Sequence, residues 1–229
     1  MARSLRIFIA LFLLVTLAPA GAAGLDAISA EESGGALRQA LSQGAVAAVS
    51  SLGRTDGFLG NPKVKILLPE NLQKAEKLMR KLGMGKYADE LILSMNRAAE
   101  AAVPEAKKLL LNAVKQMTLQ DAKGILTGGD DSVTQYFKRT TSEPLTEKFL
   151  PIVRQATERV DLAQKYNRYA KQGAKLGLID KKDASLEGYV TQKALDGLFL
   201  MIAEEERAIR QNPLGQASSL LQKVFGALK

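Results

Sequence analysis

The sequence predicts an all-α protein: a single helical domain of about seven to nine helices. Three observations point there. Apolar residues recur at steps of three and four along most of the chain, glycines and prolines fall between those runs, and no internal repeat or low-complexity tract interrupts them. Aromatic residues make up only 5% of the chain and tryptophan is absent, so small and aliphatic side chains must fill the core.

The N-terminus reads MARSLRIFIALFLLVTLAPAGAAG, with Arg3 and Arg6 ahead of an apolar run from Ile7 to Leu17. That is the pattern of a secretory signal peptide over residues 1–23, with cleavage expected after Ala20 or Ala23. The run is shorter than the roughly 20 residues of a membrane span, and no later run approaches that length, so no transmembrane segment is expected in the mature chain. The expected domain plan is therefore a leader over 1–23 and one helical domain over 24–229, located in the periplasm.

The elements follow in order. Ser29 and Glu32 have capping-box spacing, and Leu37, Leu41, Ala45, Ala48 and Val49 continue a first helix that Gly53 ends. The stretch from Gly53 to Pro69 reads as an irregular connection, with Gly57 expected at positive φ in the TDGF turn and Phe58 as its anchor. Val64, Ile66 and Leu68 alternate as a short strand would over 64–68. Pro69 and Glu70 open a helix to Leu82 that Gly83 closes. From Tyr87, the positions of Leu91, Ile92, Met95, Ala98, Ala99 and Ala102 give a helix that Pro104 kinks or divides from another through Val114.

Thr118 and Asp121 start a shorter helix that stops at Gly128-Gly129, and Ser132 is expected to cap the next, which carries Val133, Tyr136 and Phe137. Ser142-Glu-Pro opens a long helical stretch to about Lys171, with Leu145, Phe149, Ile152, Val153, Ala156 and Val160 inward and Pro151 as a kink. Ser185 begins a helix closed by Asn212-Pro213, and Gln216 to Leu228 forms a last amphipathic helix.

Several short blocks occur together in this order: DGF at 56–58, ILLP at 66–69, SMNRAAEAAV at 94–103, DAKGIL at 121–126, TQYF at 134–137, FLPIV at 149–153, YVTQKALDGLFLMIAEEERAIRQNP at 189–213 and LLQKVFG at 220–226. Across nearly all of the mature chain this set resembles a bacterial exported family known as domain of unknown function 4197. The resemblance implies a soluble, mainly helical periplasmic protein and no particular activity.

The residue inventory restricts the chemistry. With no histidine and no cysteine, the chain lacks Ser-His-Asp and Cys-His nucleophile systems, thiolate or imidazole zinc sites, disulfides and a lipid-bearing cysteine. Carboxylate chemistry, a serine-lysine pair or an oxygen-ligand metal site remains. No Ser-x-x-Lys helix start stands out, and Glu32-Ser33 shares only its Glu-Ser pair with lytic transglycosylases. Asp130 and Asp131 lie in a GGDDS loop without the alternating ligands of a calcium loop. Asp56 is read as a turn residue. No metal and no cofactor are expected.

Charge excludes less. Losing Arg3 and Arg6 with the leader leaves 30 basic against 24 acidic residues, a dispersed net charge of +6. That suits simple solubility or an anionic envelope component, while export argues against nucleic acid as a partner.

One constellation stands apart. In the late helix Leu195, Leu198, Phe199 and Ile202 form a stripe whose continuation lands on Glu205, Glu206 and Ile209. Arg210 is four residues after Glu206, and on the MNRAAE helix Asp89, Asn96 and Glu100 follow the spacing of one face flanking another apolar stripe, with Arg97 three residues before Glu100. An unpaired buried carboxylate costs several kcal/mol, so the expectation is that the two helices cross and gather Asn96, Arg97, Glu100, Glu205, Glu206 and Arg210 into one hydrogen-bonded cluster. Such a cluster either fixes helix register or serves as a site; alternatively the acids sit on a solvated last turn.

Two functional classes follow. One is a non-catalytic binding or structural protein of the cell envelope, with an apolar ligand, an anionic envelope component or a protein as partner. A cavity is expected where Ala98, Ala99, Ala101 and Ala102 meet Phe149, Phe199 and Met201, and the final helix offers Leu220, Leu221, Val224, Phe225 and Leu228 to a membrane or partner. The other is a carboxylate-dependent cell-wall glycan hydrolase.

Overall fold

The computed structural model describes residues 30–175 and 185–211. Helix α1, Ala30–Leu52, is followed by an irregular segment and then by α2, Glu70–Lys81, and α3, Gly85–Ala102. A 3-10 turn at Val103–Glu105 joins α3 to α4, Ala106–Gln116. Then come α5, Leu119–Thr127; α6, Ser132–Thr157; α7, Asp161–Lys175; and α8, Leu186–Gln211. The fold is an all-α single domain, with no strand among the described residues. The leader, the Ser29 cap and the closing segments Asn212-Pro213 and Gln216–Leu228 lie outside them.

Helices α6 and α8 form the most extensive pairing, and α3 packs on both. Helix α1 spans α4 and α8. The core is a single cluster in which Leu37, Leu52, Phe58, Leu91, Met95, Phe137, Phe149 and Leu198 are fully enclosed. Ala98, Ala99 and Ala102 are fully buried, and their small side chains let neighbouring helices approach α3 closely.

Most expected boundaries hold, including the stop at Gly53, the start at Glu70, the turn at Gly83 and the Thr118/Asp121 capping box. The strand over 64–68 does not. Val64, Ile66 and Leu68 are buried and Lys65 and Leu67 exposed, as the alternation predicts, yet the segment pairs with no strand. Its backbone turns instead to Asn96 of α3, whose Oδ1 accepts from Ile66 N at 2.9 Å and whose Nδ2 donates to Ile66 O at 2.8 Å. One side-chain amide supplies both bonds of a neighbouring strand residue.

The region 132–171 is also divided differently. A single helix, α6, runs through both Pro144 and Pro151, and the break comes later, at Glu158–Val160. Each proline costs about 3 kcal/mol, but one continuous helix buries Val133, Phe137, Leu145, Phe149 and Val153 together, on the order of 10 kcal/mol of apolar burial. Ala156 is exposed, and Thr157 takes the inward position. Positive φ in the TDGF turn falls on Asp56, at 62°. Gly57 has another role: a Cβ there would lie 2.3 Å from Leu52 O, so only glycine lets this turn press on the end of α1.

Candidate functional site

Five of the six polar residues of α3 and α8, all but Glu205, separate into distinct anchors that each hold the backbone of a distant segment. On α8, Glu206 is 4% exposed. Its Oε1 accepts from Val133 N at 3.0 Å, and its Oε2 accepts from Thr134 N and Thr134 Oγ1, both at 3.0 Å. These amides belong to the first turn of α6, which has no intrahelical partners for them. Asp131 stands at the N-cap without capping by its own side chain. Ser132, the expected cap, is instead the first helical residue, and its hydroxyl donates to Ile125 O. A carboxylate from 72 residues downstream thus caps α6 and meets the positive end of its dipole. Arg210 completes the anchor: its Nη2 donates to Glu206 Oε1, Ile125 O and Ser132 Oγ at 3.0, 3.1 and 2.7 Å.

On α3, Glu100 does the same for the turn after α1. Its Oε1 accepts from Phe58 N and Leu59 N at 3.0 and 3.1 Å, and its Oε2 pairs with Arg97 Nη1 at 2.5 Å. Arg97 Nη2 reaches Asp56 Oδ1 at 2.7 Å, so Asp56 closes the network from the positive-φ position. Hydrogen bonds to Glu100 and then Asp56 raise the Arg97 guanidinium further above its ordinary value. Asn96 holds Ile66, as above. The pairs Arg97/Glu100 and Glu206/Arg210 each form within one helix, and they serve two different backbone segments.

Glu205 follows a third course. It lines a small, partly open groove between α1, α6 and α8, walled by Ala40, Leu41, Gly44 and Ala45 on α1, Val133 and Phe137 on α6, and Ile202 and Ile209 on α8. Glu206 and Arg210 also line it. Gly44 faces Glu205, since a Cβ at Gly44 would stand 3.6 Å from Glu205 Cβ. The remaining acid of the triplet, Glu204, lies outside, paired with Lys63 at 2.6 Å. The three consecutive glutamates therefore face solvent, groove and core, as a step of about 100° per residue dictates.

The chemistry available is limited by these assignments. Both oxygens of Glu206 and of Glu100 are engaged in hydrogen bonds, which leaves each carboxylate little capacity to take a proton from a substrate. No group of three or more carboxylates suited to a metal ion occurs among the described residues, and Asp131 accepts from Gln135. None of the described helices is long and apolar enough to cross a membrane.

Sequence reasoning located the anchoring side chains but missed what they hold, because a backbone amide leaves no residue-type signature. It also missed the groove on α1, although Ala40, Gly44 and Ala45 at helical spacing opposite Ile202 and Ile209 carry that signal.

No curated protein and no solved structure matches the chain. One family model does, over residues 27–226. Those residues include every described helix and both anchors, and the chain belongs to the family described as Protein of unknown function (DUF4197).

Proposed function

We propose that this is an exported, non-catalytic binding protein of the bacterial cell envelope, which holds an apolar ligand with a polar end between α1, α6 and α8. The observation that carries this reading is the groove itself, lined by aliphatic, aromatic and small side chains together with Glu205, Glu206 and Arg210. Apolar walls with a few convergent polar groups are the common form of a small-molecule site. The signal-peptide pattern of residues 1–23 supports export. The alternative, a glycan hydrolase, would need a general acid and a second carboxylate free in one cleft; Glu205 is the groove acid not committed to capping a helix.

Native mass spectrometry of the protein purified from the periplasm tests the reading. The expected result is an adduct of discrete mass that denaturation releases and that Gly44→Phe, which fills the groove, abolishes. An adduct-free chain that converts purified cell-wall glycan, with Glu205→Gln inactive, would replace the binding reading by the enzymatic one.

A further inference from the structure

Among the described residues, the tip of the α2–α3 hairpin gathers several exposed large apolar side chains. Leu78 and Leu82 are 58% and 66% exposed, and Met84 and Tyr87, just beyond the turn, are each 45% exposed. Four large apolar side chains thus stand in water over a short stretch of chain, where a soluble surface ordinarily scatters them singly. The turn that gathers them is well made: Gly83 adopts φ 75°, and Met84 N donates to Met79 O at 2.8 Å, the closing bond of a Schellman motif.

The charges within this apolar tip share one sign. Residues 77–87 contain Lys77, Arg80, Lys81 and Lys86 and no acid. The nearest carboxylates on either side, Glu76 and Asp89, are both bonded to Arg80, and that guanidinium holds Asp89 below the usual carboxylate range. The Lys86 ammonium lies 5.3 Å from the centre of the Tyr87 ring. Glu90 is the next acid along α3.

We propose that this tip docks on an anionic lipid surface, with Leu78, Leu82 and Met84 entering the interface, Tyr87 at headgroup depth and Lys77, Lys81 and Lys86 on the lipid phosphates. Exposed leucine and methionine bordered by lysine, with tyrosine at the boundary, is the composition that partitions to an interface. The absence of any acid between residues 77 and 87 favours a negative surface over a second, equally cationic copy of the same tip. The tip shares no residue with the groove, so it stands or falls apart from the ligand reading.

Because the chain contains no tryptophan, Leu82→Trp gives a single fluorescent reporter at a position exposed enough to accept it. The protein, purified as the cell processes it, is mixed with vesicles of phosphatidylglycerol and phosphatidylethanolamine, and separately with phosphatidylcholine vesicles. The expected outcome is a blue shift of the introduced indole's emission with the anionic vesicles alone. High salt or the triple variant Lys77→Gln, Lys81→Gln, Lys86→Gln should weaken binding at least tenfold, since each lysine near an anionic surface contributes roughly fivefold. Met84→Trp serves as the reporter should Leu82→Trp misfold. An unshifted emission with anionic vesicles, an equal shift on both lipids with no lysine dependence, or a concentration-dependent shift without lipid would each overturn the proposal, the last in favour of self-association.

Discussion

Phe58 reaches full burial because Gly197 of α8 lacks a side chain: a Cβ there would lie 2.7 Å from Phe58 Cε1 and 3.3 Å from Val64 Cβ. The ring therefore rests on the helix backbone, and Glu100 holds the Phe58 amide from the other side. Gly197→Ala should destabilise the protein by about 1–3 kcal/mol through overpacking, despite alanine's better helix propensity. A melt in chemical denaturant checks this; equal or greater stability in the variant would show that Phe58 can move away at little cost. The sequence marked Phe58 as an anchor and pointed to Gly57 for the positive φ. The adjacent Asp56 adopts it instead, at 62°, where its carboxylate can bond Arg97 while Gly57 provides the close approach to Leu52 O.

Among the described elements, α5 has a start that is complete in its own sequence. Thr118 Oγ1 accepts from Asp121 N, and Asp121 Oδ2 accepts from both Thr118 N and Thr118 Oγ1. The bonds from the Thr118 side chain, its backbone amide and then the nearby Arg139 hold the Asp121 carboxyl below its usual value. A lowered folded value means that the carboxylate stabilises the protein above the unfolded pKa of about 3.9 and loses that contribution as pH falls through the folded value. The melting temperature of Asp121→Asn should thus fall short of the native protein's at neutral pH, and the gap should close on acidification below about pH 4. A gap of constant size across that range would mean the charge is immaterial. Such local devices were legible, as were the Ser185 cap, where the hydroxyl accepts from Gly188 N, and the αL turn at Gly83. The start of α6 was not. Asp131 and Ser132 look like caps in sequence, and the true cap arrives from Glu206, a choice that only the packing of α8 on α6 can make. The same holds for the two prolines within α6, where long-range burial outweighs the local break.

Across the whole molecule, side chains on helices satisfy backbone groups far away in sequence. Asn96 holds Ile66, Glu100 holds Phe58 and Leu59, Asn167 Oδ1 accepts from Leu186 N at the start of α8, and Glu206 holds Val133 and Thr134. The all-α class was legible because apolar periodicity is a local property. The partition of the polar residues into anchors was not, because it depends on which backbone amides the fold leaves without partners. On this account the buried carboxylates build the molecule, and the groove and the hairpin tip are the surfaces left for partners. Amide hydrogen exchange at Val133 and Thr134 tests that division most directly. First-turn amides without partners exchange rapidly; here both should be strongly protected, and Glu206→Ala, at a cost of about 3–5 kcal/mol for a broken buried pair, or the milder Glu206→Gln should accelerate them far more than the amides in the middle of α6. Fast exchange at both amides in the native protein, or rates that neither substitution changes, would contradict the structural role assigned to Glu206.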